Sequence, residues 1–121
     1  MKKLIISCIV FAILATSCLS LTSLKSNTVI KPNDSFVLGN NEHGSFTATL
    51  KNVSTNDLTV YLAPIKGGTH SPQVIKPKQS VFVKVDRNTA LVVSNKSNEI
   101  TSVDLKVVGD TGLSMGYQNL K

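Results

Sequence analysis

Phe46-Thr47-Ala48-Thr49-Leu50-Lys51 and Leu58-Thr59-Val60-Tyr61-Leu62, separated by Ser54-Thr55-Asn56-Asp57, decide the fold class of this chain. In the first stretch Phe46, Ala48 and Leu50 alternate with Thr47, Thr49 and Lys51. In the second, Leu58, Val60 and Leu62 alternate with Thr59 and Tyr61. A period of two places successive side chains on opposite faces of an extended chain, so each stretch reads as a strand with one buried face. The Ser-Thr-Asn-Asp cluster between them is turn chemistry. The two strands are therefore expected to form a hairpin.

The same alternation continues on both sides. Ser35 to Leu38 is a short strand before the pair. Ala63 to Pro72 reads as a loop, broken by Pro64, Gly67, Gly68 and Pro72. Val74-Ile75 is at most a short strand. Val81, Val83 and Val85 follow the turn at Pro77-Lys78-Gln79-Ser80, and Ala90 to Val93 is the next extended run. Val103, Leu105 and Val107 then alternate with Ser102, Asp104 and Lys106, and Leu113, Met115 and Tyr117 alternate with Ser114, Gly116 and Gln118. No 3.6-residue period occurs after residue 27, and no internal repeat is evident. Seven or eight short strands separated by turns imply an all-β domain, a single β-sandwich over residues 28–121. Phe46, Leu50, Leu58, Val60, Leu62, Val81, Val83, Val103, Leu105 and Val107 are its expected core. The turns at Asn52-Val53-Ser54 and at Pro77-Lys78-Gln79-Ser80 resemble those of immunoglobulin-like bacterial sandwiches. That resemblance spans about residues 34–118 and lacks the Cys…Trp…Cys signature. It implies a strand arrangement and no functional residue.

The N-terminus has a different character. Met1-Lys2-Lys3 is a short basic segment, Leu4 to Ala15 is apolar apart from Ser7 and Cys8, and Thr16-Ser17-Cys18 follows. This is the layout of an export signal, too short to span a bilayer as a helix. Small residues directly before Cys18 resemble the lipobox of bacterial lipoproteins, in the looser form of the Bacteroidetes lineage. Ala15 stands where the common motif has leucine, and Leu14 lies one place upstream. The resemblance covers residues 1–18. It implies a signal peptide over residues 1–17, cleavage before Cys18, and acyl chains on the Cys18 sulfur that hold the protein in a membrane. Each buried methylene contributes about 0.8 kcal/mol, so two or three chains make an essentially permanent anchor. Residues 18–27 then read as the lipidated cysteine and a Ser-rich tether. No acidic run follows Cys18, which points to a periplasm-facing leaflet of the cell envelope.

Composition narrows the function classes. Without Lys2 and Lys3, 11 basic and 7 acidic residues remain, a net charge of +4 against +6 for the whole chain. The lysines are scattered along the sequence, and basic residues are not interleaved with aromatics, which argues against nucleic acid as a partner. Cys8 and Cys18 are the only cysteines, so no disulfide is expected in the domain. Asp110-Thr111-Gly112 after Val107-Val108-Gly109 resembles the catalytic turn of aspartic proteases. Too little chain follows to complete that site, and Asp with Gly is ordinary turn chemistry. His43, beside Glu42, and His70 are the only histidines and show no metal-ligand spacing. Asn52-Val53-Ser54 and Asn95-Lys96-Ser97 fit the glycosylation pattern, which a bacterial lipoprotein would leave bare. The sequence thus assigns Cys18 as a lipid-attachment residue and assigns no catalytic residue, metal ligand or cofactor. The expected function is a lipid-anchored binding or structural module of the envelope, not an enzyme, with the membrane and a further envelope protein as partners. Two alternatives stand beside it: a small enzyme using the loops around His43 and His70, and a subunit that docks by a strand edge.

Overall fold

The computed structural model describes residues 23–119. The expected signal peptide over residues 1–17, Cys18 and the first part of the expected tether lie outside the described residues. Nine strands follow one another: β1 Ser23–Ile30, β2 Asp34–Leu38, β3 Phe46–Asn52, β4 Leu58–Pro64, β5 His70–Ile75, β6 Ser80–Val85, β7 Thr89–Asn95, β8 Thr101–Gly109 and β9 Met115–Asn119. All pairings are antiparallel, in a four-stranded sheet of order β1-β8-β3-β6 and a five-stranded sheet of order β5-β4-β7-β2-β9.

The domain is an all-β sandwich, as the alternation implies. Phe46, Ala48 and Leu50 from one sheet meet Leu58, Val60 and Leu62 from the other, together with Ile30, Leu38, Leu91, Val93, Val103 and Val107. Nine of the ten expected core residues are buried, and Val81 is half-buried against the cluster. Among the described residues the buried core runs from Ile30 to Val107, with Leu24, Val81 and Leu113 packed against it.

The topology differs from the expectation in three places. First, β3 and β4 do not form a hairpin. β3 pairs with β6 and β8, while β4 pairs with β5 and β7 in the opposite sheet. The turn at Ser54–Asp57 is a corner between sheets. Alternation shows that a face is buried but not which strand lies alongside. Second, β1 pairs with β8, β2 with β7, β3 with β6 and β4 with β5. That is a long four-rung hairpin rolled so that β3 also meets β8 and β4 also meets β7. The result is a jelly roll, two Greek keys in two sheets, rather than the immunoglobulin-like strand order. Third, residues 23–27 are not tether. They form the first half of β1, in register with Asp104 to Val108 of β8. β5 also begins within the expected loop, at His70. It includes Pro72, which an edge strand tolerates because its outer N–H is not needed.

Two corners connect the sheets by the same device. Asn52 is fully buried, and its Nδ2 donates to the carbonyl oxygens of Asn56 (2.7 Å) and Ile75 (2.8 Å). Its Oδ1 accepts from Ser54 N (2.9 Å) and Ser54 Oγ (2.7 Å). Between β7 and β8, Asn95 Nδ2 donates to the carbonyls of Glu99 (2.7 Å) and Ile30 (3.1 Å), while its Oδ1 accepts from Ser97 N (3.0 Å) and Ser97 Oγ (2.6 Å). Asn56 Nδ2 donates to Glu99 Oε1 at 2.8 Å and ties one corner to the other. Both Asn-x-Ser tripeptides are thus structural plugs.

Candidate functional site

The outer face of the four-stranded sheet carries the strongest concentration of one charge. Strand register places its side chains in rows. Lys25 stands opposite Lys106, Lys106 opposite Thr49, and Thr49 opposite Phe82. The next row runs Asn27, Asp104, Lys51 and Ser80, and the row on the other side runs Ser23, Val108, Thr47 and Lys84. Four lysines and one aspartate therefore share this face. The lysines that look scattered in sequence are gathered by the pairing of β1, β8, β3 and β6.

Two features set this face apart from an ordinary solvated surface. Directly opposed side chains in an antiparallel pair lie about 5 Å apart at Cβ, and like charges there are destabilising. Lys25 and Lys106 are such a pair. Neither is neutralised, since Lys76–Asp57 (3.8 Å), away from this face, is the one ion pair among the described residues. The nearby Asp104 instead accepts a hydrogen bond from Asn27 Nδ2 at 2.7 Å. Phe82 also stands 68% exposed at the end of the same row, where a core-forming side chain has nothing to cover it. An open depression of about 530 Å³ lies over the lysines of this face, lined by Lys25, Asn27, Lys51, Ser80, Asp104 and Lys106 among others, and Phe82 lies outside it. Such a surface attracts anions and offers an apolar contact beside them.

The far side of the five-stranded sheet carries no charge along its central rows, and Ser35, Ser94 and Val92 there are buried rather than exposed. Ser35, Ser94 and Thr59 are aligned across β2, β7 and β4, and Val37, Val92 and Tyr61 form the next row. Ser35 Oγ and Ser94 Oγ are hydrogen-bonded at 2.8 Å. At the rim of this sheet, β9 pairs with β2 and carries no charged residue. Its alternating side chains do not enter the core. Leu113 is half-buried against the core, but Met115 is 48% and Tyr117 58% exposed, Tyr117 meeting Phe36 edge-on with ring centroids 5.7 Å apart.

The candidate residues of the sequence sit elsewhere, mainly in the loops at the end of the sandwich where β1 begins. His43 is buried in the β2–β3 loop. Its Nδ1 lies 2.5 Å from the Gly44 carbonyl and its Nε2 2.9 Å from that of Thr89, and its ring is tilted over Phe46. Gly39, with φ of +83°, leaves room for that ring, because a Cβ there would approach Nε2 to 3.0 Å. His70 is exposed at the start of β5, with Nδ1 2.9 Å from Ser71 Oγ. No group of three His, Cys, Asp or Glu converges among the described residues. Asp110 accepts from Gly44 N (2.6 Å) and Gly112 N (2.8 Å), and these two N–H groups hold its carboxyl below the usual carboxylate range. It staples the β2–β3 loop to the β8–β9 loop, the turn role that Asp and Gly commonly take.

No protein-family model and no curated protein matches the sequence. Solved structures do resemble the fold. The capsular polysaccharide assembling protein CapF from Staphylococcus aureus aligns at 13% identity and a TM-score of 0.53, over 70% of this chain and 24% of that one. The Yersinia pseudotuberculosis-derived mitogen aligns at 18% identity and a TM-score of 0.49, over 77% of this chain and 94% of that one. Drosophila melanogaster CENP-C bound to CAL1 aligns at 12% and 0.49, over 70% and 60%. This chain therefore spans about a quarter of CapF, and what the two share is the sandwich.

Proposed function

We propose that this protein is a lipid-anchored binding module of the bacterial cell envelope, held through acyl chains on Cys18 and facing the periplasm. The outer face of its four-stranded sheet is the contact surface for an anionic ligand. The observation that carries this reading is the Lys25–Lys106 opposition, with no ion-pair partner among the described residues, in the row that ends at exposed Phe82. Repulsion between them lowers the stability of the isolated domain and is relieved when an anion lies between them. No catalytic step belongs to this reading. Asp110 and His43 are engaged in holding loops.

Substitution separates the two roles. Lys106→Gln removes the repulsion, so the domain should be as stable as the parent or more stable by about 0.2–1 kcal/mol in denaturant unfolding. Retention on an immobilised polyanion should weaken, in a salt-dependent manner. A destabilised variant with unchanged retention would contradict the assignment. The anchor is tested by Cys18→Ala, which should move the protein to the soluble envelope fraction and abolish fatty-acid labelling. A mature N-terminus found unmodified beyond residue 18 would refute it.

One observation favours a second reading, docking by a strand edge. Among the described residues β9 is an uncharged edge strand with Met115 and Tyr117 exposed, the kind of edge that accepts an added strand.

A further inference from the structure

We infer that the surface met by the lysine face is the anionic headgroup layer of the membrane that holds the anchor, so that the domain lies with this face down and the five-stranded sheet away from the membrane. This rests on the anchored-module reading, and three observations carry it further.

The first is reach. β1 begins at Ser23, five residues after Cys18. Five residues span at most about 17 Å, whatever their conformation. A domain attached at Cys18 is therefore kept against the membrane surface. The second is where that short connection arrives. Ser23 is itself an outer-face residue, in the row with Val108, Thr47 and Lys84, and Lys25 is two positions on. The chain enters the domain at the corner of the lysine face, not on the opposite sheet. The third is chemistry. Lys25, Lys51, Lys84 and Lys106 against Asp104 make the face complementary to anionic headgroups, with no ion pair of their own to break. An exposed phenylalanine among lysines suits an interface that is charged at the surface and apolar just beneath it. Tethering removes the need for strong intrinsic affinity, because the second contact is intramolecular.

The test uses the chain from residue 18 onward with Cys18→Ser, which contains every described strand and no acyl group. It is co-sedimented with vesicles of phosphatidylethanolamine and phosphatidylglycerol, and with vesicles of phosphatidylethanolamine and phosphatidylcholine. Binding to the anionic vesicles alone, lost at high salt, is the expected result. Lys25→Gln and Lys106→Gln should each lower the partition about fivefold, and Phe82→Ala should lower what remains at high salt. Lys66→Gln and Lys76→Gln, with the same charge change in loops, should leave it nearly unchanged. Equal binding to both vesicles, or equal losses from the loop variants, would overturn the inference. So would capture by soluble polygalacturonate without preference for anionic vesicles, which would give the face to an anionic glycan. Because the protein used carries no acyl chain, absent labelling of Cys18 in cells would overturn the anchor separately from this result.

Discussion

Asn52 and Asn95 show how much a single buried side chain can decide. Each sits at a point where the chain leaves one sheet for the other, and backbone groups there have no ladder partner. A carboxamide fits because it donates and accepts at once. Both residues are fully buried, and each serves several groups. Asn52→Ala is expected to cost about 2–4 kcal/mol in denaturant unfolding, since it removes the donors to the Ile75 and Asn56 carbonyls and the acceptor of the Ser54 amide and hydroxyl, leaving the Asn56 carbonyl only Ser54 Oγ. Asn52→Asp should also destabilise, because an oxygen would then face those two carbonyls. Asn98→Ala, on the exposed part of the second corner, should change stability by less than about 0.5 kcal/mol. Equal effects at 52 and 98 would show that the corner does not depend on the plug.

Among the elements, β9 is the informative one. It adds a ladder to β2 but leaves Met115 and Tyr117 outside the core, whereas Leu113, just before it, packs inward. Removal of residues 115–121 should therefore lower the melting temperature modestly. Truncation after Gly109 should lower it much more, because Leu113 and the Asp110 staple go as well. Equal melting of the two truncated forms would contradict this division. Strand positions were largely legible in the sequence, because period-two alternation is a local consequence of one buried face. β3, β4, β6 and β8 lie where alternation puts them. Partners were not legible. The Ser-Thr-Asn-Asp turn after Asn52 suits a hairpin as well as a corner, and only the hydrogen bonds of Asn52 tell them apart. β1 was missed at residues 23–27 because its outer side chains, Lys25 and Asn27, are polar and only Leu24 marks the inner face. The two Asn-x-Ser tripeptides were the available signal for the paired corners. The lysine face was hidden for a different reason: its residues are 25, 51, 84 and 106, and only the β1-β8-β3-β6 order makes them neighbours.

At the scale of the whole molecule, the jelly roll separates two surfaces of opposite character. One sheet turns lysines and Phe82 to solvent, whereas on the far side of the other Ser35, Ser94 and Val92 are uncharged and buried. In the proposed anchored form, the short segment before Ser23 enters at the corner of the charged face and gives this asymmetry a direction relative to the membrane. The most direct test is lysine modification by a small amine-reactive reagent on intact, acylated protein in native membranes, read residue by residue by mass spectrometry. Lys25, Lys51, Lys84 and Lys106 are expected to be protected relative to Lys66, Lys76 and Lys78, and the protection should vanish in the released Cys18→Ala protein. Equal modification of both groups while the protein is anchored would contradict the assignment of the lysine face as the contact surface.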